Sequence, residues 1–224
     1  MSALTFTLKA NITVPIDCSR LTPNGLAALT PSEIEHLVLT PTKYTVSDVF
    51  ALTGEDAQQM VFKNAKPHLH HIGHSMSTGS ITIEGDCGDF LGSQMQGGTL
   101  ICKGNAGERA GDKMRRGLLL IEGNVGEYCG ASMIAGTIGV LGNVGARLGY
   151  GMRRGTLLLA KTPTLSATWL DCGMHTLPFL NILYQSFKLL DTAFAQVTNQ
   201  RVQRWMGDVS HSGKAEILVI QSQL

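Results

Sequence analysis

Residues 111–130 read GDKMRRGLLLIEGNVGEYCG, with glycine at positions 111, 117, 123, 126 and 130 and one methionine at 114. The same pattern runs on either side of this stretch. Gly73, Gly92, Gly111, Gly130 and Gly149 stand nineteen residues apart, and Met76, Met95, Met114, Met133 and Met152 follow them at the same step. Further columns are Gly79, Gly98, Gly117, Gly136 and Gly155, then Gly85, Gly104, Gly123 and Gly142, then Gly88, Gly107, Gly126 and Gly145. Asp86, Asn105, Asn124 and Asn143 form one more, and the register holds without a slip from 73 to 155.

A repeat of this kind decides the fold before any single residue does. Helical repeats need more than about thirty residues, and glycine every few residues opposes helix. Short strands alternating with sharp bends fit: a right-handed parallel β-helix with 19-residue coils. In this reading the glycines are corners with positive φ, and the Asp or Asn that follows is the next best left-handed residue. Ile81/Ile83, Leu100/Cys102, Leu119/Ile121, Ile138/Val140 and Leu157/Leu159 alternate and are assigned inward, with the methionines filling the coil centre. Cys87, Ala106, Val125, Val144 and Leu91, Ala110, Cys129, Leu148 are two more apolar columns. At about 4.8 Å per coil, about four and a half coils stand roughly 20 Å tall.

Composition agrees with a packed chain. Of 224 residues, 43% are hydrophobic, and 18 basic against 17 acidic residues leave a net charge of +1, which is no footprint for nucleic acid or a membrane surface. The five cysteines lack CxxC spacing, so reduced thiols in a cytoplasm are expected rather than a disulfide framework. Neither a signal pattern nor a run long enough to span a membrane occurs.

The periodic part ends at both sides. Residues 1–71 read as an N-terminal cap with strands at 4–9 and 59–63 and a short helix near 31–38; residues 72–162 are the coils; residues 163–224 form a second cap. In that cap, 178–197 shows apolar residues at helical spacing after Pro178, and 215–220 reads as a strand.

No catalytic constellation stands out. His68, His70, His71 and His74 are the one cluster with metal-ligand chemistry, yet no Asp, Glu or Cys lies beside them, so loop or interface histidines are the preferred reading and no metal is assigned. Glu84, Lys103 and Glu122 follow one another up an outward column and are expected to attract across coils. The adjacent outward column, Ile101, Leu120 and Leu158 with Leu118 and Leu141 beside it, is too apolar to face water. Either the chain's own C-terminal helix or another protein covers it, and these five are the candidate interface residues. Arg115–Arg116 and Arg153–Arg154 recur two coils apart, as do Arg109 and Arg147. Besides a solvated surface, the first four suggest a strip for an acidic partner segment or an anionic ligand.

Coils such as GDCGDFLGSQMQGG and GNAGERAGDKMRRG resemble the glycine-rich β-helix shared by the C subunit of formylmethanofuran dehydrogenase and the C-terminal domain of the glutamate synthase large subunit. The flanks TWLDCGMHTLPFLNILYQSF (168–187) and GDVSHSGKAEILVI (207–220) resemble the family of C subunits, and the opening LTFTLK is similar to its bacterial members. The resemblance implies a cytoplasmic structural subunit of the formyltransferase/hydrolase complex, which converts formyl-tetrahydromethanopterin to formate by way of a methanofuran-type carrier. Its implied partners are an amidohydrolase-like A subunit, a B subunit and a formyltransferase D subunit, which would hold the metals and the active sites. The alternatives are the C subunit of a tungsten or molybdenum formylmethanofuran dehydrogenase, or a glutamate synthase-like domain. The periodic arginines would then face the acidic tail of the carrier.

Overall fold

The computed structural model describes residues 2–221. It opens with β1 (Ala3–Leu8), β2 (Ile16–Asp17), the helical turns α1 (Pro23–Leu26) and α2 (Pro31–Glu35), β3 (Val38–Leu39), β4 (Tyr44–Thr45), α3 (Val46–Val49), β5 (Phe50–Thr53), β6 (Asp56–Ala65) and β7 (Leu69–His70). The periodic region supplies β8 (Ser80–Gly85), β9 (Gln96–Cys102), β10 (Arg116–Ile121), β11 (Thr137–Val140) and β12 (Arg154–Leu159). β13 (Leu170–Thr176), α4 (Phe179–Phe187), a 3-10 turn (Ala193–Gln196), β14 (Arg201–Gly207) and β15 (Lys214–Ile220) complete the chain. The fold is mainly β. One 11-stranded mixed sheet runs in the order β13-β14-β15-β12-β11-β10-β9-β8-β6-β1-β5.

The repeat dictates the register. Ile81 pairs with Leu100, Leu100 with Leu119, Leu119 with Ile138 and Ile138 with Leu157, all in parallel strands. A second stack follows the same step through the bridges Ala106–Val125 and Val125–Val144. The methionine column and the Ile81/Ile83-type columns have 0 or 1% exposure, so alternation and the thioether column lie in the core as expected. Strands outside the repeat stop both ends: Met60 and Phe62 of β6 continue the Ile81/Ile83 columns, and Ile217 of β15 continues past Leu157. Trp169 lies over Gly149 and Gly207 at the C-terminal side of the stack.

Two expectations about the corners are corrected. Of the column 85, 104, 123 and 142, only Gly85 has positive φ. The other three are glycine because the next backbone passes too close: a Cβ on Gly123 would sit 2.5 Å from the carbonyl oxygen of Gly104. The Asp and Asn that follow do not take the left-handed conformation either. The side-chain oxygens of Asp86, Asn105 and Asn124 instead accept from the following repeat, as Asp86 Oδ1 does from Asn105 N–H at 2.7 Å and from Asn105 Nδ2 at 2.9 Å. Positive φ falls partly on non-glycine residues, among them Arg109, Lys113, Tyr128, Ser132 and Arg147.

The expected C-terminal helix is shorter than its apolar pattern. α4 ends at Phe187, and the chain turns before Thr192 caps the 3-10 turn. That break bends the segment over the strands, so that Leu180, Tyr184, Phe187 and Phe194 pack on Ile101, Leu120 and Leu158 as a second core.

Candidate functional site

The second core determines which of the candidate residues remain available. Ile101, Leu120 and Leu158 are 5, 0 and 0% exposed beneath the chain's own C-terminal segment, with Leu118 and Leu141 packed at its margin. As an open docking face this column is therefore corrected: of the two coverings expected, the chain supplies its own. Gly139 makes the fit possible, since a Cβ there would stand 2.7 Å from the Phe194 ring. The charged column beside it serves the same junction. Lys103 pairs with Asp191, and Glu122 Oε1 accepts from the Thr192 hydroxyl and the Ala193 N–H, both at 2.8 Å, rather than Lys103 and Glu122 pairing with each other.

The arginines have a different setting. A cleft of about 430 Å³ is lined by Lys113, Arg115, Ser132, Gly151, Arg153 and His211, and a neighbouring recess by Arg153, Arg154, His211 and Lys214. Lys113 and Ser132 share one column of left-handed turns, whose N–H groups donate to Ala131 and Tyr150 carbonyls of the following repeat. Arg115 and Arg153 are held by backbone N–H donation to Met95 and Met133 at 2.8 Å, which leaves their side chains free to reach outward. Among the described residues, Lys113, Arg115, Arg153, Arg154 and Lys214 make no ion pair. Unneutralised cations converging on one concave surface attract anions, and guanidinium forks suit carboxylates.

One side of the cleft, at His211, comes from the loop between β14 and β15. Asp208, 3% exposed, accepts from the Gly151 N–H at 3.1 Å and from the N–H and hydroxyl of Ser210. Burial alone would raise its pKa, but these hydrogen bonds outweigh it and hold Asp208 below the ordinary carboxylate range. The Ser212 hydroxyl donates to the Arg153 carbonyl at 3.0 Å, so the loop is fastened to the repeat and His211 is presented to the cleft.

Of the sequence candidates, Arg115, Arg153 and Arg154 are thus brought together, while Arg116 lines neither recess. Lys113 was missed although the column 94, 113, 132, 151 is legible in the repeat; His211 and Lys214 arrive only through tertiary structure. Arg109 and Arg147 flank the Tyr128 ring at 4.5 and 5.0 Å.

The His71 and His74 rings stay edge to face at 5.8 Å, but the histidines turn to separate partners. The Asp89 N–H donates to His70 Nδ1 at 3.0 Å, His71 stacks on Phe90 with centroids 4.7 Å apart, and His74 Nδ1 meets the Ser93 hydroxyl at 2.8 Å. Asp112 follows Ser93 in that column, so serine lies between histidine and aspartate, whereas a nucleophilic triad needs histidine in the middle. No group of three or more His, Cys, Asp or Glu side chains among the described residues is placed to hold a metal.

No family model matches the chain. The C subunit of the formyltransferase/hydrolase complex Fhc of Methylorubrum extorquens is 31% identical over 89 residues, which are 39% of this chain and 34% of that protein. The C subunit of the tungsten-containing formylmethanofuran dehydrogenase 2 of Methanococcus maripaludis is 28% identical over 95 residues, 41% of this chain and 35% of that protein. The chain is a homologue of these C subunits. The matches span about a third of the length of either curated relative. A chain in the crystal structure of the formyltransferase/hydrolase complex (FhcABCD) from Methylorubrum extorquens with methylofuran superposes with a TM-score of 0.61 at 29% identity, over 97% of this chain and 100% of that one. No helix among the described residues is long and apolar enough to cross a membrane.

Proposed function

We propose that this chain is the structural C subunit of a cytoplasmic formyltransferase/hydrolase complex, and that its repeats are the 19-residue coils of a right-handed parallel β-helix. The observation that carries the reading is the likeness to a chain of the FhcABCD complex over 97% of the sequence, well beyond the segment of curated sequence similarity. In this reading the catalytic groups, metals and formyl transfer belong to amidohydrolase-like and formyltransferase partners. The cleft of Lys113, Arg115 and Arg153, with Arg154 and Lys214 beyond it, holds the acidic tail of a methanofuran-type carrier.

The test is affinity capture of the natively expressed tagged chain, followed by mass spectrometry and metal analysis. Amidohydrolase-like and formyltransferase-like partners with zinc, and neither tungsten nor molybdenum, are expected. Molybdopterin and Fe–S subunits would move the chain to the dehydrogenase, the second reading, which the similarity to the Methanococcus maripaludis protein favours. Capture of the chain alone would overturn both. The cleft is tested separately: Arg115→Ala with Arg153→Ala should release carrier from an intact complex, and unchanged carrier content would refute its role.

A further inference from the structure

The turns that follow the parallel strands β1 and β6 border a half-open cavity of about 500 Å³ in the N-terminal segment. Leu8 and Ile12, 7 and 8% exposed, form its apolar side together with Pro67, and Lys9, Lys66 and His68 its polar side, with no carboxylate in the lining among the described residues. The three basic side chains differ in what they already do. Lys9 donates to the Ser47 carbonyl and stands near Asp48. Burial, and then the charges of His70 and Lys66, hold His68 below the ordinary imidazole range. Its Nε2 is buried with no hydrogen-bond partner among the described residues. Lys66 makes no ion pair among the described residues and is exposed at the cavity.

A cavity with an apolar side, one uncommitted ammonium and no acid selects a ligand with an apolar body and one negative end. We propose that this cavity binds a small linear carboxylate of several carbons, its carboxylate at Lys66 and its hydrocarbon chain along Leu8, Ile12 and Pro67. An acid with no hydrocarbon chain leaves the apolar side wet, and an alcohol leaves Lys66 unpaired. The site is formed by the first strands and their turns and is separate from the arginine cleft.

The experiment is NMR of the full chain, following the His68 ring resonance, assigned with His68→Gln, during titration with hexanoate, acetate and hexanol. Hexanoate should give a saturable shift. Acetate and hexanol should each bind at least about tenfold more weakly, since the former lacks the methylenes and the latter the charge. Lys66→Gln, an exposed change that leaves the strands intact, should weaken hexanoate at least about tenfold and leave hexanol unchanged. No saturable shift, equal binding of acetate and hexanoate, or hexanoate binding untouched by Lys66→Gln would each overturn the proposal.

Discussion

Gly123 and Gly173 are both glycine for reasons that substitution separates. A Cβ at 123 meets the Gly104 carbonyl carbon at 2.6 Å, backbone that cannot move without shifting a whole repeat, whereas no described residue lies within 4 Å at Gly173, where φ is +80°. Gly123→Ala should therefore destabilise by about 3 kcal/mol, the upper range of overpacking, and Gly173→Ala by about 1 kcal/mol, the conformational cost alone. Urea unfolding of both variants decides; equal costs would contradict the close-approach account. Asp208 gives a pH dependence with a definite sign. Its folded pKa is depressed below the unfolded value of about 3.9, so its contribution is fully present above that value and is lost as pH falls through the folded pKa. Asp208→Asn should lower Tm at pH 7 and reduce the acid-induced fall in Tm; an unchanged acid limb would show that other carboxylates govern it.

At the scale of elements, the segment from α4 to the 3-10 turn behaves as a strap. Its anchor is Phe194, fully buried over Gly139 and packed edge-on to Phe187 at 5.6 Å between centroids. Phe194→Ala should cost about 3–5 kcal/mol and release the strap before the strands, because β8 to β12 keep their own pairings. Hydrogen exchange would show protection lost first over 179–197. Simultaneous loss in β9 and β10 would mean that the strap and the repeats unfold as one unit. Once the strap is seated, the apolar side chains left outside include Ile182 at 77% and Leu189 at 88% exposure.

Across the whole molecule, the sheet is continuous from N-terminal to C-terminal elements because non-repeating strands take positions a further repeat would occupy. β15 pairs with β12 in parallel, Leu157 to Ile217 and Leu159 to Val219, although the two stand 60 residues apart in the chain. Ending the chain after residue 213 would leave β12 as an open parallel edge with Leu157 and Leu159 uncovered. That truncation should aggregate, read by light scattering at concentrations where the full chain stays dispersed. A monodisperse truncated chain would show that β12 needs no cover. A strand pairing of such long range also closes late, so refolding of the C-terminal part should be the slow phase.

The periodic glycines, methionines and alternating apolar columns determined, by themselves, the strand positions, the inward faces and the step from one strand to the next, since each repeat meets its neighbours through identical positions. The arginine column was legible for the same reason. Three things required tertiary structure. The covering of Ile101, Leu120 and Leu158 by the chain itself depended on α4 stopping at Phe187, where a turn overrides an apolar period that runs on to residue 197. The cleft gained His211 from a loop that Asp208 fastens to Gly151, a contact across 57 residues that no periodicity encodes, and the recess beside it gained Lys214 from the start of β15. The glycines at 104, 123 and 142 were placed correctly but for the wrong reason: a sequence shows that a side chain is missing, and only the neighbouring backbone shows whether it is missing for torsion or for space.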